Sequence, residues 1–107
     1  MAKAEPRLKE KVAHYHKLTE AALKKVFLKK NLQEKEKTIA LDFLEMANNY
    51  FSDAKHFEQK KDFATALAAF SYAHAWLDAG VRAGLFDAQG DDKLFTLPKS
   101  ARAEKQF

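Results

Sequence analysis

Between residues 63 and 83, large apolar side chains recur at the three- and four-residue steps of one helix face, and small residues recur at every seventh position along its edge. Phe63, Leu67, Phe70, Leu77 and Val81 make the line, and Ala66, Ala73 and Gly80 make the edge. A stripe of this kind requires a neighbour that removes it from water, and small residues in register let a second backbone approach closely. The segment therefore predicts a long, buried helix inside a bundle. Asp62 is suited to cap its N-terminus, and Gly84 to end it in the left-handed conformation.

Two further segments carry the same period. From Pro6 to about Lys30, Leu8, Val12, Tyr15, Ala22 and Val26 alternate with Lys and Glu, Pro6 suits the first turn, and Asn31 and Leu32 mark the break. From about Gln33 to Gln59, Ile39, Phe43, Met46, Tyr50 and Phe57 form one line, with Ala40, Ala47, Phe51 and Ala54 beside it. At about 100° per residue the combined apolar arc is about 160° wide, enough for two neighbours, which predicts that this second helix sits in the middle. The turn Lys60, Lys61, Asp62 is short, so the helices it joins are antiparallel. The fold class that follows is all-α: an antiparallel three-helix bundle over residues 1–86, then a tail over 87–107 that is loosely packed or forms a short extra helix. Tyr50, Ala54 and Phe57, followed by Ala66, Phe70 and Ala73, reproduce the size pattern of one tetratricopeptide hairpin, with departures at Asp53 and Asp78. A single copy describes how two helices pack, not a repeat protein.

Composition excludes several chemistries. The chain has no cysteine, which removes disulfides, thiol catalysis and Cys-based metal centres and fits a reducing cytoplasm. No apolar run reaches the roughly 18 residues of a membrane span, and the first residues lack the apolar core of a signal peptide. A soluble, cytoplasmic protein is expected. The net charge of +4 is unevenly spread. Residues 1–37 hold eleven Lys or Arg against five Glu, residues 38–92 hold four basic against nine acidic residues, and residues 93–107 hold four against one. Basic ends around an acidic middle suit a first helix docked on an acidic hairpin of the same chain, or a surface that seeks nucleic acid.

Candidate catalytic and metal residues are few. His14 and His16 point about 200° apart on a helix and cannot share a metal, while His16 with Glu20 supplies only two ligands. Arg7 and His14 match in form a weak Arg-x(4-6)-His motif of a class of helical ribonucleases. There is no phosphate-binding glycine loop, nucleophile elbow or paired-carboxylate cleft. No catalytic residue, cofactor or metal is therefore assigned, and the chain is expected not to be an enzyme. The residues that remain to be explained lie on the third helix. His74, Asp78 and Arg82 form a stripe at steps of four, on which Asp78 is expected to pair with Arg82, and Tyr72 and Trp76 point to the other side. Tyr72, Trp76, Asp78 and Arg82 are the candidate partner interface, since Trp, Tyr and Arg are enriched where binding energy concentrates. A second copy of the chain, or failing that the tail residues Leu94, Phe95 and Leu97, is expected to cover Tyr72 and Trp76.

The same segment carries a resemblance. Tyr50, Asp53-Ala54, Asp62-Phe63, Ala66-Leu67, Ser71-Tyr72-Ala73, Trp76-Leu77-Asp78-Ala79-Gly80-Val81-Arg82 and Gly84-Leu85 resemble a family of small archaeal helical proteins known as domain of unknown function 357, over about residues 8–86. The resemblance implies a compact cytoplasmic helical bundle with no assigned activity, and it supplies no catalytic residue. The function expected is protein binding by a helical module. The alternative is association with RNA through Lys24, Lys25, Lys29 and Lys30 and the basic tail.

Overall fold

Three helices and a two-residue antiparallel ladder make up the computed structural model, which describes residues 4–97. In chain order they are α1 (Ala4–Lys25), β1 (Phe27–Leu28), α2 (Glu34–Gln59), α3 (Phe63–Arg82) and β2 (Phe86–Asp87). α1 is shorter than its sequence period suggests. Its last turn closes with the Val26 N–H donating to the Ala22 carbonyl (3.0 Å), after which Phe27 pairs with Asp87 and Leu28 with Phe86. The Lys29 N–H extends that pairing to the Leu85 carbonyl at 2.8 Å.

The other boundaries follow from local chemistry. Glu36 reaches back to the Gln33 N–H at 3.0 Å and satisfies a donor at the start of α2. At its end, the Lys61 N–H bonds the Glu58 carbonyl and the Asp62 N–H bonds the Phe57 carbonyl, with Lys61 left-handed at φ 63°. Asp62 then caps α3 by accepting from the Thr65 N–H at 3.3 Å. α3 terminates in the same paired-carbonyl pattern, Gly84 to Val81 and Leu85 to Gly80, with Gly84 at φ 78°.

α2 and α3 form the expected antiparallel hairpin. Ala40, Ala47 and Ala54 on α2, and Ala66 and Ala73 on α3, have no exposed surface, and Gly80 is buried as well. Ala54 and Ala66, Ala47 and Ala73, Ala40 and Gly80 lie symmetrically about the turn at Lys60, so a row of buried small residues runs along each helix of the hairpin. Ala73→Leu is expected to destabilise the domain by about 1–3 kcal/mol, because the seam has no room for the added carbons. Urea unfolding of the variant checks this.

α3, not α2, is the centre of the bundle. It packs extensively on both other helices and on β2, whereas α1 and α2 touch each other little. The reason is charge. α2 carries nine Asp, Glu and Lys side chains between Glu34 and Glu58, while α3 carries only Asp78 and Arg82 beside His74. The wide apolar arc of α2 is only partly used: Ala40, Ala47, Phe51 and Ala54 are buried, while Ile39 remains exposed and Phe43, Met46 and Tyr50 half-buried. α1 runs parallel to α3, with Val12 in one apolar cluster beside Ala66 and Phe70 and Ala22 in another beside Leu77 and Val81.

The segment after residue 86 corrects the expectation of a loose tail. Of the expected tail, Ala88, Phe95 and Leu97 are buried and supply three of the ten buried residues of the second cluster. A boundary at residue 86 would cut through β2. Residues 98–107, the rest of the expected tail, lie outside the described residues.

Candidate functional site

The stripe of α3 holds a segment of the same chain. His74 bonds the Leu94 carbonyl through Nε2 and the Thr19 hydroxyl of α1 through Nδ1 (3.1 Å). The Asp78 carboxylate accepts from the Thr96 N–H at 2.9 Å, and Arg82 Nη1 donates to the Leu97 carbonyl at 3.2 Å. A carbonyl can only accept, so His74 presents Nε2–H to Leu94, and in the neutral ring the Thr19 hydroxyl donates to Nδ1. The expected Asp78–Arg82 pair gives way to two contacts with the strap 94–97. The registry is geometric. His74 and Asp78 stand one helical turn apart, about 6 Å, and the chain passes from Leu94 to Thr96 over the same interval.

The three side chains read main chain, and the core reads side chains. Phe95 and Leu97 are 2% and 4% exposed, while Thr96 between them faces water. Burying two such side chains stabilises by about 3–6 kcal/mol, and hydrogen bonds to the charged Asp78 and Arg82 add about 1.5–3 kcal/mol each. Ordering four residues costs about 4–8 kcal/mol. The strap is thus held by a few kcal/mol.

Its approach is fixed by Asp91, which accepts from the N–H groups of Lys93 and Leu94 (3.0 Å each) and pairs with Lys25 Nζ at 3.0 Å. The Leu94 N–H first, then Lys25 and the Lys93 N–H, hold the Asp91 carboxyl below its ordinary value of 3.8. A lowered folded value means that the stabilisation is complete above the ordinary value and is lost as pH falls through the lowered one. Strap docking is therefore expected to weaken below about pH 4, and Asp91→Asn to remove its share of that acid dependence. Amide shifts of residues 94–97 across pH 2.5–6 provide the check.

Tyr72 and Trp76 lie on another flank, apart from Asp78 and Arg82, so the four candidate interface residues do not form one surface. Trp76 is half-buried against Phe43 of α2 (ring centroids 5.0 Å, edge-on), and its indole Nε1 is buried without a hydrogen-bond partner. Tyr72 is 49% exposed and meets Tyr50 of α2 edge-on at 4.4 Å. On either side of Tyr72 is a shallow apolar hollow. One, of about 400 Å³, is bounded by Tyr50, Phe57, Thr65 and Ala68 with Asp53 at its rim, and the other, of about 210 Å³, by Ala75, Trp76 and Ala79. The exposed residues from Ala64 to Ala79, namely Ala64, Thr65, Ala68, Ser71, Tyr72, Ala75 and Ala79, include no charged side chain. In the strap, Phe95 covers the opposite, His74 side of α3, so it is not the cover expected for Tyr72 and Trp76.

The remaining candidates fall elsewhere. His16 pairs with Glu58 of α2 at 2.7 Å, not with Glu20, and stacks on Phe70. Among the described residues no cluster of three His, Asp or Glu could hold a metal. Arg7 and His14 are both exposed. Lys24, Lys29 and Lys30 are exposed, whereas Lys25 is engaged by Asp91. His74 lines an open groove of about 370 Å³ with Tyr15, Leu18, Ser71 and Asp78, and its imidazole is held by a hydroxyl and a carbonyl, not by a carboxylate. Sequence reasoning missed Thr19, Asp91 and the strap backbone. The available signal was the apolar cluster in Leu94-Phe95-Thr96-Leu97, three apolar residues of four.

A family model described as "Protein of unknown function (DUF357)" matches residues 14–86. No curated protein matches the chain. No solved structure matches it either. Among the described residues no helix is long and apolar enough to cross a membrane.

Proposed function

We propose, for a chain that belongs to the DUF357 family of proteins of unknown function, a non-catalytic role in the cytoplasm as a helical module that binds a helix of a partner protein. The observation that carries this reading is the uncharged outer face of α3. About a third of the chain is charged, 32%, yet none of the exposed residues of α3 from Ala64 to Ala79 is charged, and the half-buried Asp78 at the edge of this face is engaged by Thr96. A face made of Ala, Thr and Ser permits close approach of a second helix, and Tyr72 stands between two hollows as an aromatic anchor. Asp42, Asn49 and Asp53 edge the neighbouring line of α2. The partner is accordingly an amphipathic helix with an apolar stripe and basic flanks.

The test uses the full chain immobilised and exposed to nuclease-treated extract of its source cells at high salt, in parallel with Ala75→Glu and with Glu34→Gln as a distant control. Retention of one defined protein by the parent and the control, with at least tenfold loss on Ala75→Glu, supports the reading. Equal retention by Ala75→Glu contradicts it. Material that disappears on nuclease treatment or at high salt would instead favour RNA at Lys24, Lys29 and Lys30, because phosphate contacts weaken steeply with salt.

A further inference from the structure

The groove that α1 and α3 present to residues 94–97 is a recognition site for a short chain segment, and the segment it fits is carried by every copy of the chain. His74, Asp78 and Arg82 bond main-chain atoms of Leu94, Thr96 and Leu97, while Phe95 and Leu97 fill the core. All of these contacts can be made equally well by a strap arriving from another molecule. What distinguishes the two arrangements is the hinge between β2 and the strap. In the closed chain the hinge is tight and strained: Gln89, which is not glycine, has φ 54°, and Gly90 follows at φ 73°. The turn is held by the Gln89 N–H on Asp87 Oδ1 (2.7 Å) and by Gln89 Nε2 on the Lys25 carbonyl (2.9 Å). Short hinges under backbone strain favour exchange of the element they carry, since opening relieves the strain while the contacts are regained between copies.

We propose that the Leu94–Leu97 strap exchanges between two copies of the chain, each seated on the His74–Asp78–Arg82 flank of the other, with Ala88–Gly90 as the hinge. The exchange is independent of the partner-helix reading, because it uses the opposite flank of α3. A tethered strap competes at an effective concentration in the millimolar range, so the unaltered chain is mainly monomeric at micromolar concentration. Gln89→Pro fixes φ near −65° and removes the N–H that bonds Asp87, so it disfavours the closed hinge without touching the groove or the strap.

Sedimentation of full-length chains at about 200 μM reads the outcome. Gln89→Pro is expected to lower the dimer dissociation constant by about tenfold or more. A chain lacking Gln89 and Gly90 provides a second variant in case proline perturbs folding, with helix content checked by circular dichroism, and it is expected to dimerise as Gln89→Pro does. Adding Tyr72→Lys to either hinge variant is expected to leave the dimer intact. If both hinge variants remain monomeric, or if Tyr72→Lys dissociates their dimers, strap exchange is wrong. The second of those results would assign self-association to the outer face of α3 instead.

Discussion

Truncating Phe70 to alanine is expected to cost about 3–5 kcal/mol, the loss typical of a large aromatic side chain in a core that cannot collapse around the void. Phe70 has no exposed surface, stacks on His16 of α1 with ring centroids 5.1 Å apart, and meets Phe51 of α2 at 5.6 Å. It is the point at which all three helices meet. Each neighbour is anchored independently, α1 through the His16–Glu58 pair and α2 through the alanine seam, so none can move in to fill the space. Domains of this size have a total stability of about 5–15 kcal/mol, and 1 kcal/mol corresponds to about 4–8 °C in Tm. The loss should therefore lower Tm by about 12 °C or more in a thermal scan. Leu67→Ala, at a half-buried position one turn earlier, should cost clearly less. Equal losses at the two positions would show that Phe70 is not the centre of the packing.

Gly80→Leu is the second large effect, expected near the upper end of the 1–3 kcal/mol typical of overpacking, about 3 kcal/mol. The cause is one ring. A Cβ at residue 80 would overlap the Phe86 side chain, which lies across the helix at this position and is 1% exposed. Displacing that ring disturbs β2, its pairing with Phe27 and Leu28, and the cluster that receives the strap. Even Gly80→Ala meets the obstruction. The two positions must therefore be coupled: in denaturant unfolding, Gly80→Leu with Phe86→Ala should cost less than the sum of the single changes by about 0.5–3 kcal/mol. Additive losses would contradict close packing of Phe86 on Gly80.

The helices were legible in the sequence because their signals are local. The period of Phe63, Leu67 and Phe70, the cap at Asp62 and the stop at Gly84 each act within a turn or two. The seven-residue spacing of Ala66, Ala73 and Gly80 was also a sufficient guide to burial, although at Gly80 the close neighbour is a phenylalanine ring from a later strand. The hub was harder to place. Arc width favoured α2, but Ile39, Phe43, Met46 and Tyr50 are left open or half-open, and the low charge of α3 decides which helix goes inside. The ladder of Phe27–Leu28 with Phe86–Asp87 is too short to carry a period, and its pairing spans most of the chain. At the candidate site, residue choice was more legible than grouping. His74, Asp78 and Arg82 stood out as a stripe, but their partners are backbone atoms of Leu94, Thr96 and Leu97, which any sequence supplies. For that reason Asp78 and Arg82 were grouped with Tyr72 and Trp76, from which the fold separates them.

The division of α3 into one flank held by the chain's own strap and another left open for a partner is tested most directly by ¹⁵N relaxation of the full chain. Phe95, Thr96 and Leu97 should show order parameters of about 0.85, equal to those of Leu77 and Val81, because their N–H vectors belong to a segment bonded by His74, Asp78 and Arg82. Values below about 0.6 at these residues, with α3 still rigid, would mean that the strap is not docked and that the His74–Asp78–Arg82 flank is as open as the Tyr72 side.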